Sequence, residues 1–174
     1  MTNGAVVTIT IAMLSLALAP GCCMGRHRPS ATETITLSGP GFTPDPTTSS
    51  GQAGGTVAAS TLAAVDANGN GCPGSIPTMP QHTLHLDAAL PLLRVLVNGS
   101  EDTTLFVRAP NGNVYCNDDS GDPNNGVNPL VEISGAPAGD YSVYVGAYSE
   151  GAMMSTYSIG FTTTPGTYPS QVVR

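Results

Sequence analysis

The chain has few charged residues and few aromatic residues. It contains no Trp and no Lys, and charged residues make up 10% of its 174 residues. By contrast, it holds 21 Gly and 15 Pro and is rich in Thr, Val and Asn. This composition argues against a helical bundle and favours short strands joined by many turns. We therefore expect one all-β domain, a small antiparallel β-sandwich with a jelly-roll-like fold.

Basic residues are scarcer than acidic ones, and the formal net charge is -7. From Pro29 onward, three arginines stand against 12 acidic residues. Binding to nucleic acid requires a cationic face, so this balance argues against nucleic acid as a partner. Cations, and a protein or glycan at the cell surface, are the ligands that the charge allows.

Residues 5–19 form an uninterrupted run of small, apolar and hydroxyl residues. The run is short for a membrane span, but its length matches the apolar part of a signal peptide. Residues 17–19 (Ala-Leu-Ala) fit a cleavage site, whereas residues 18–22 (Leu-Ala-Pro-Gly-Cys) resemble a bacterial lipobox. We favour a lipoprotein signal peptide over residues 1–21, with an acylated Cys22 anchoring the protein in the lipid bilayer. It would face the periplasm or the cell surface; the alternative is a secreted protein.

Pro, Ser, Thr and Gly dominate the segment that follows the leader. We expect a flexible tether over residues 22–37, although residues 33–37 alternate and could form a short strand. The folded domain is predicted over residues 38–163, with its start between residues 35 and 57. Residues 56–67 are predicted to be extended, and residues 164–174 to be a disordered tail.

Cys72 and Cys116 are the two cysteines distant from the leader. An exported protein meets an oxidising compartment, so a Cys72–Cys116 disulfide is expected. Closing a loop of this length would stabilise the fold by about 4 kcal/mol on chain-entropy grounds. No C-x-x-C spacing supports a zinc site, and nothing marks either thiol as an activated nucleophile.

Period-2 alternation predicts strands near residues 82–87, 92–98, 104–108, 113–116, 130–133, 140–148 and 155–161. His82 and His85 are not expected to join the apolar stripe of their strand. The residues predicted to face inward are Leu84, Leu86, Leu93, Val95, Val97, Leu105, Val107, Tyr141, Val143, Val145, Tyr157, Ile159 and Phe161.

The stretch from residue 102 to residue 122 holds the densest cluster of oxygen ligands. Its first part predicts a β-hairpin about the Pro-Asn-Gly turn at residues 110–112. An acidic loop follows Cys116, and Ca²⁺ takes six to eight oxygens from such loops. The alternative is a solvated turn in which these side chains bind backbone amides. The candidate ligands for Ca²⁺ are Asn117, Asp118, Asp119, Asp122 and Asn124.

The order of five short motifs resembles the bacterial pre-peptidase C-terminal domain over about residues 82–161. The motifs lie at residues 102–107 (Asp-Thr-Thr-Leu-Phe-Val), 110–112 (Pro-Asn-Gly), 117–119 (Asn-Asp-Asp), 128–130 (Asn-Pro-Leu) and 138–146 (Ala-Gly-Asp-Tyr-Ser-Val-Tyr-Val-Gly). The resemblance implies a β-sandwich of a kind often attached to secreted proteases. Some members of this family, found near collagenases, bind calcium and matrix proteins. We expect no protease domain before the resembling region, and Thr104 stands where many members have a second Asp.

Two further patterns bear on function. Residues 119–121 (Asp-Ser-Gly) echo the surroundings of a catalytic serine, with His82 and Asp102 as imaginable partners. We reject this triad because the flanking glycines are missing and the acidic loop would oppose an oxyanion. Tyr115, Tyr144 and Tyr148 could line an exposed face that stacks on a sugar or protein, although tyrosines in sandwiches are commonly half-buried.

These observations predict a non-catalytic binding or structural module of the cell envelope, with Ca²⁺ as the one cofactor to test. The alternative is an accessory or targeting domain that acts with a secreted peptidase. A hydrolase ranks third, since the sequence offers no credible pair of nucleophile and base.

Overall fold

The computed structural model describes residues 32–149 and 152–173, and this part of the chain is mostly β-strand. The strands are β1 (Glu33–Leu37), β2 (Thr47–Gln52), β3 (Val57–Ala58), β4 (Ser75–Ile76), β5 (His82–Leu86), β6 (Leu90–Gly99), β7 (Thr103–Arg108), β8 (Val114–Asn117), β9 (Leu130–Ala136), β10 (Gly139–Ala147) and β11 (Thr156–Thr162). A single helical turn, α1 (Ala59–Leu62), follows β3, and a 3-10 turn spans Pro169–Gln171.

The strands form two sheets, as expected for a sandwich. In the first sheet, β5 lies between β1 and β10; β10 also pairs with β7, which pairs with β8, and with β4, which pairs with β3. The second sheet has the order β2-β11-β6-β9. All pairs are antiparallel except β1 with β5, which run parallel. The predicted all-β fold class is confirmed.

Alternating apolar side chains from both sheets build the main core. Every position predicted above to face inward is exposed by 1% or less. His82 corrects one expectation, because it has the same parity as Leu84 and Leu86 and is only 2% exposed. His85 has the opposite parity and lies on the outer face, as predicted.

A second, smaller buried cluster covers the outer face of the first sheet. Ala59, Cys72 and Ile76 pack there against Phe106, Val114 and Cys116. The Cys72–Cys116 disulfide is formed, with an S–S length of 2.09 Å and Cα atoms 5.2 Å apart. The disulfide therefore ties the segment that carries β3, α1 and β4 to the end of β8.

The domain begins earlier than the predicted boundary at residue 38. β1 pairs with β5 along its whole length, and its Ile35 and Leu37 are buried. The tether predicted over residues 22–37 is therefore wrong for residues 33–37, because their alternation buries one face in the core. Residues 22–31 lie outside the described residues.

Two segments read as turns or extended chain have other structures. Residues 47–52 form β2, because hydrogen bonds to β11 order a strand that has no apolar side chain. Within residues 56–67, predicted to be extended, β3 is followed by the helical turn α1.

The tail predicted to be disordered instead packs on the outer face of the second sheet. Val172 is fully buried and its methyl groups lie over Gly160. The Asn98 side chain donates to the carbonyl oxygen of Val172 at 3.0 Å, and Arg94 donates to that of Thr167 at 2.5 Å. The tail thereby covers Leu96, an apolar residue on the face of β6 that points away from the main core.

The leader and the acylated Cys22 lie outside the described residues, so they remain predictions. Over residues 32–149 and 152–173, no helix is long and apolar enough to cross a membrane.

Candidate functional site

The β7–β8 hairpin brings Asp102 to the acidic loop. The β7–β8 ladder ends where Leu105 pairs with Asn117, and Asp102 lies close enough to Asp119 and Asp118 for their charges to act on it. Asp118 and Asp119 follow directly after β8. We call Asp102, Asp118 and Asp119 the acidic cluster.

The backbone around Asp102 is fixed by neighbouring groups. Its carbonyl oxygen accepts a hydrogen bond from the Tyr148 amide at 3.2 Å. Buried Asn128 accepts from the Gly99 amide at 3.1 Å and from the Thr103 hydroxyl at 3.2 Å, and it donates back to the Gly99 carbonyl. This network holds both ends of the turn that carries Asp102.

The Asp102 carboxylate is poorly satisfied. Its Oδ1 atom is buried and has no hydrogen-bond donor among the residues that the structure describes. Desolvation by burial raises the pKa of Asp102, and the negative charges of Asp119 and Asp118 raise it further. A buried anionic oxygen without a donor costs free energy, so a cation or a proton at this position would be favourable.

Asp122, predicted to be a metal ligand, has a different role. Its Oδ1 accepts the Asn124 amide and its Oδ2 accepts the Ser170 amide, both at 2.8 Å. Desolvation by burial would raise the pKa of Asp122, but these amide hydrogen bonds outweigh it and lower the pKa. Asp122 therefore joins the acidic loop to the C-terminal tail and is removed from the ligand set.

The two predicted amide ligands also have structural partners. The Asn117 side-chain oxygen accepts the Leu130 amide at 2.9 Å, and the Asn124 side-chain nitrogen donates to the Ser170 hydroxyl at 3.4 Å. Only Asp118 and Asp119 of the five predicted ligands thus belong to the acidic cluster. In the described part of the chain, no group of three or more carboxylate, imidazole or thiol side chains is placed so that it could hold a metal ion. Binding of a cation at the acidic cluster would therefore require its side chains to move.

Sequence reasoning left Asp102 out of the ligand set although the signal was present. The Pro-Asn-Gly turn fixes the register of the hairpin, and that register predicts that Asp102 meets the loop after Asn117. The register of the hairpin thus indicates that Asp102 lies near Asp118 and Asp119.

The three tyrosines proposed to form one binding face are separated. Tyr144 pairs with Phe106 and packs edge-on against its ring on the outer face, whereas Tyr115 pairs with Val107 and packs against the main core. Tyr148 lies just beyond β10 and is 50% exposed. A single stacking platform is therefore ruled out by strand parity, because Tyr115 and Tyr144 point to opposite faces.

Ser120 and His82, two members of the rejected catalytic triad, bond to other residues. The Ser120 hydroxyl accepts the Asp122 amide at 3.2 Å, as in an ordinary loop. The Nε2 atom of His82 lies 2.8 Å from the Tyr157 hydroxyl, and its Nδ1 atom lies 3.2 Å from a carboxylate oxygen of Glu33.

The Glu33–His82–Tyr157 chain links the two sheets and was not predicted. Desolvation lowers the pKa of His82, although Glu33 opposes this shift. Burial, with a contribution from Glu33, raises the pKa of Tyr157 far above its usual range, so the phenol stays protonated. The only sequence signal was the shared parity of His82 with Leu84 and Leu86.

The fold and this site define a disulfide-linked all-β sandwich with an acidic cluster at one end. Comparisons with family models, with curated proteins and with solved structures found no match to the chain. The resemblance to the pre-peptidase C-terminal domain accordingly stays a prediction, and the functional argument rests on the geometry of the chain.

Proposed function

We propose that this chain is a non-catalytic binding or structural module of the bacterial cell envelope, stabilised by Ca²⁺ at the acidic cluster. Export and anchoring through an acylated Cys22 are part of the proposal. The observation that carries the calcium site is the buried Oδ1 atom of Asp102, which has no donor in the described structure and faces the charges of Asp118 and Asp119.

The chemistry of the cluster fits a hard divalent cation. Ca²⁺ accepts carboxylates, backbone carbonyls and water as ligands, and it tolerates irregular geometry. Asp102 would supply a fixed oxygen from the end of the β6–β7 turn, and Asp118 and Asp119 would supply oxygens from the loop. A bound cation would relieve the repulsion among the three carboxylates and compensate the desolvation of Asp102.

The non-catalytic part of the proposal is supported by the partners of the two histidines in the described region. Both ring nitrogens of His82 lie beside Glu33 and Tyr157, and those of His85 lie beside Asp140 and Asp87. A general base needs a nitrogen free to accept a proton from a nucleophile. These contacts favour structural roles for both imidazoles.

Thermal unfolding of the full chain in EDTA and in millimolar CaCl₂ tests the calcium site. We expect CaCl₂ to raise the melting temperature, because a ligand at 100 times its Kd stabilises the native state by about 2.7 kcal/mol. The double variant Asp118→Asn with Asp119→Asn should lose this rise.

Asp122→Asn is the matched control for that experiment. It removes a carboxylate of the same loop that is bonded to amides of Asn124 and Ser170. We expect a lower melting temperature with and without CaCl₂, and an unchanged calcium-dependent rise. Equal loss of the rise in Asp122→Asn, or no rise in the wild-type chain, would contradict the site.

A further inference from the structure

Strand β2 is an edge strand of the second sheet, and the phase of its ladder shows which backbone groups face outward. The Ala53 amide donates to the Ser155 carbonyl at 2.8 Å, in register with the β2–β11 pairing. Alternate residues of an antiparallel strand turn both backbone groups away from the partner. Thr48 and Ser50 therefore direct their N–H and C=O groups away from β11.

These outward groups are open to another strand. In the described part of the chain, no hydrogen bond involves the backbone of Thr48 or Ser50 on this side. One neighbouring group is already used in this way, since the Gln81 side chain donates to the Gln52 carbonyl at 3.3 Å. Natural sheets usually protect their edges with charge, proline or a bulge. Residues 47–52 (Thr-Thr-Ser-Ser-Gly-Gln) contain neither charge nor proline.

The opposite edge of the same sheet is better protected. β9 contains Glu132 on its solvent side, and the Asn117 side chain accepts the outward amide of Leu130. The contrast indicates that β2 is the edge at which strand addition meets the least resistance.

β2 is also held in place before any partner arrives. The Ser49 hydroxyl donates to the Glu33 carboxylate, and the Tyr157 hydroxyl lies so close beneath Gly51 that no side chain fits there. Because Tyr157 is in turn bonded to buried His82, the edge is anchored to both sheets. An edge that is already ordered loses little conformational entropy on binding.

A groove of about 580 Å³ adjoins this edge. It is lined by the strand residues 48–52, by residues 156–158 of β11, and by Val173 of the tail. Thr48 and Ser50 carry small, exposed hydroxyl side chains beside this groove, whereas Ser158 is only 1% exposed.

The negative net charge of the molecule favours a basic partner at β2. Arg94 and Arg108 are the only basic Lys or Arg residues in the described ranges, and the chain carries a net charge of -7. Among the described residues, two charged side chains lie next to β2: Glu33, which accepts a hydrogen bond from Ser49, and Asp45, which precedes the strand by two positions. A second copy of this chain would be repelled, whereas a basic segment would be attracted.

We propose that β2 binds an extended, basic segment of a partner protein as an added strand of the second sheet. Backbone hydrogen bonds to Thr48 and Ser50 supply the affinity, and the groove and the acidic surroundings supply the preference. The proposal rests on the binding role given above and names the class of partner. Its site is separate from the acidic cluster, so the calcium experiment succeeds or fails independently.

The test is a calorimetric titration of the full chain with the end-blocked peptide Lys-Thr-Val-Thr-Val-Lys. A second peptide carries an N-methyl group on every residue, which removes its backbone donors from both edges while keeping its charge. We expect the first peptide to bind and the methylated peptide to bind at least about tenfold more weakly, because backbone donors are lost. An acidic peptide, Glu-Thr-Val-Thr-Val-Glu, should not bind.

Ser50→Pro is the blocking variant, since proline removes the outward N–H and is tolerated at edge positions. Its matched control is Ser134→Pro on β9, where the ladder phase also turns the N–H outward. Peptide binding should fall at least about tenfold in Ser50→Pro and stay unchanged in Ser134→Pro. Both variants should keep the calcium-dependent melting rise.

Three results would overturn the proposal. The first is no binding of the basic peptide, and the second is equal binding of its methylated form, which would leave charge alone as the attraction. The third is sedimentation of the wild-type chain as a dimer that Ser50→Pro dissociates, which would make a second copy the occupant of the edge.

Discussion

Burial of the Asp102 carboxylate destabilises the fold, and the same carboxylate is the centre of the proposed calcium site. Its backbone is fixed by Tyr148 and its flanking turn by Asn128, so its Cα atom is held near the charges of Asp118 and Asp119. Burial and these charges act in the same direction, and both disfavour the ionised form.

Asp102→Asn should therefore stabilise the metal-free protein at neutral pH. A carboxyl group whose pKa is raised by folding binds its proton more tightly in the folded state. The folded protein therefore loses stability as the pH rises through that pKa. Removing the charge should raise the free energy of unfolding in EDTA by up to about 1 kcal/mol, the range for partly exposed charge pairs. In CaCl₂ the same variant should be less stable than the wild-type chain, because it lacks a proposed calcium ligand. Urea unfolding in both buffers measures this reversal, and a variant destabilised in both would contradict it.

His85 is a second residue with a testable protonation state. Its Nδ1 atom lies 2.6 Å from Asp140 and its Nε2 atom lies 3.3 Å from Asp87. The hydrogen bond to Asp140 is the largest cause that raises the pKa of His85. Its contribution to stability is thus fully present below the unfolded pKa of about 6.5 and is lost as the pH rises through the higher folded pKa.

An NMR titration of the His85 ring measures that shift. The wild-type pKa should lie above 6.5, the usual value for histidine, and Asp140→Asn should lower it toward that value. A ring that titrates at the same pH in both proteins would show that the Asp140 contact does not persist in solution.

At the scale of elements, the C-terminal tail is part of the fold. It covers the outer face of the second sheet, bonds to Arg94 and Asn98, and meets the acidic loop where Ser170 donates to Asp122. The tail therefore connects the sheet surface to the loop that carries two residues of the proposed calcium site.

Val172→Ala should destabilise the protein by about 2 kcal/mol, because it removes two buried methyl groups. Val173→Ala is the matched control, since Val173 is 79% exposed while Val172 is fully buried. Thermal melts of the two variants measure the difference. Equal melting temperatures would mean that the tail does not pack on the sheet.

The central strands could be predicted from sequence because their inward residues alternate without interruption. β6, β7, β10 and β11 each carry two or more apolar residues of one parity, so the pattern determines both the strand and its buried face. β2 carries no apolar residue, and its hydrogen bonds to β11 alone make it a strand. The tail has one buried valine, Val172, and a single residue has no period to detect.

The candidate site likewise has one part that the sequence could predict and another that it could not. The acidic cluster joins the two ends of one hairpin, so its geometry was accessible from the register of that hairpin. The Glu33–His82–Tyr157 chain joins three strands from two sheets, and no local pattern specifies which strands meet. Asp122 could not be assigned from sequence because its partner amide belongs to Ser170, far away in the chain.

At the scale of the whole molecule, acidic residues outnumber basic ones. The two described arginines have local partners: Arg94 lies 3.0 Å from Glu132, and Arg108 lies over the Phe106 ring. The net charge of the chain is -7, and such a charge attracts cations and basic partners. The proposed binding of calcium at the acidic cluster and of a basic strand at β2 both depend on this negative charge.

Equilibrium calcium binding to the full chain, measured by titration calorimetry beside the Asp102→Asn variant, tests the central claim most directly. We predict one saturable site with a Kd between about 10⁻⁷ and 10⁻³ M, the range from sensor to extracellular calcium modules. The variant should bind more weakly, because it lacks the fixed carboxylate. No saturable heat in the wild-type chain, or equal binding by the variant, would contradict a calcium site at the acidic cluster.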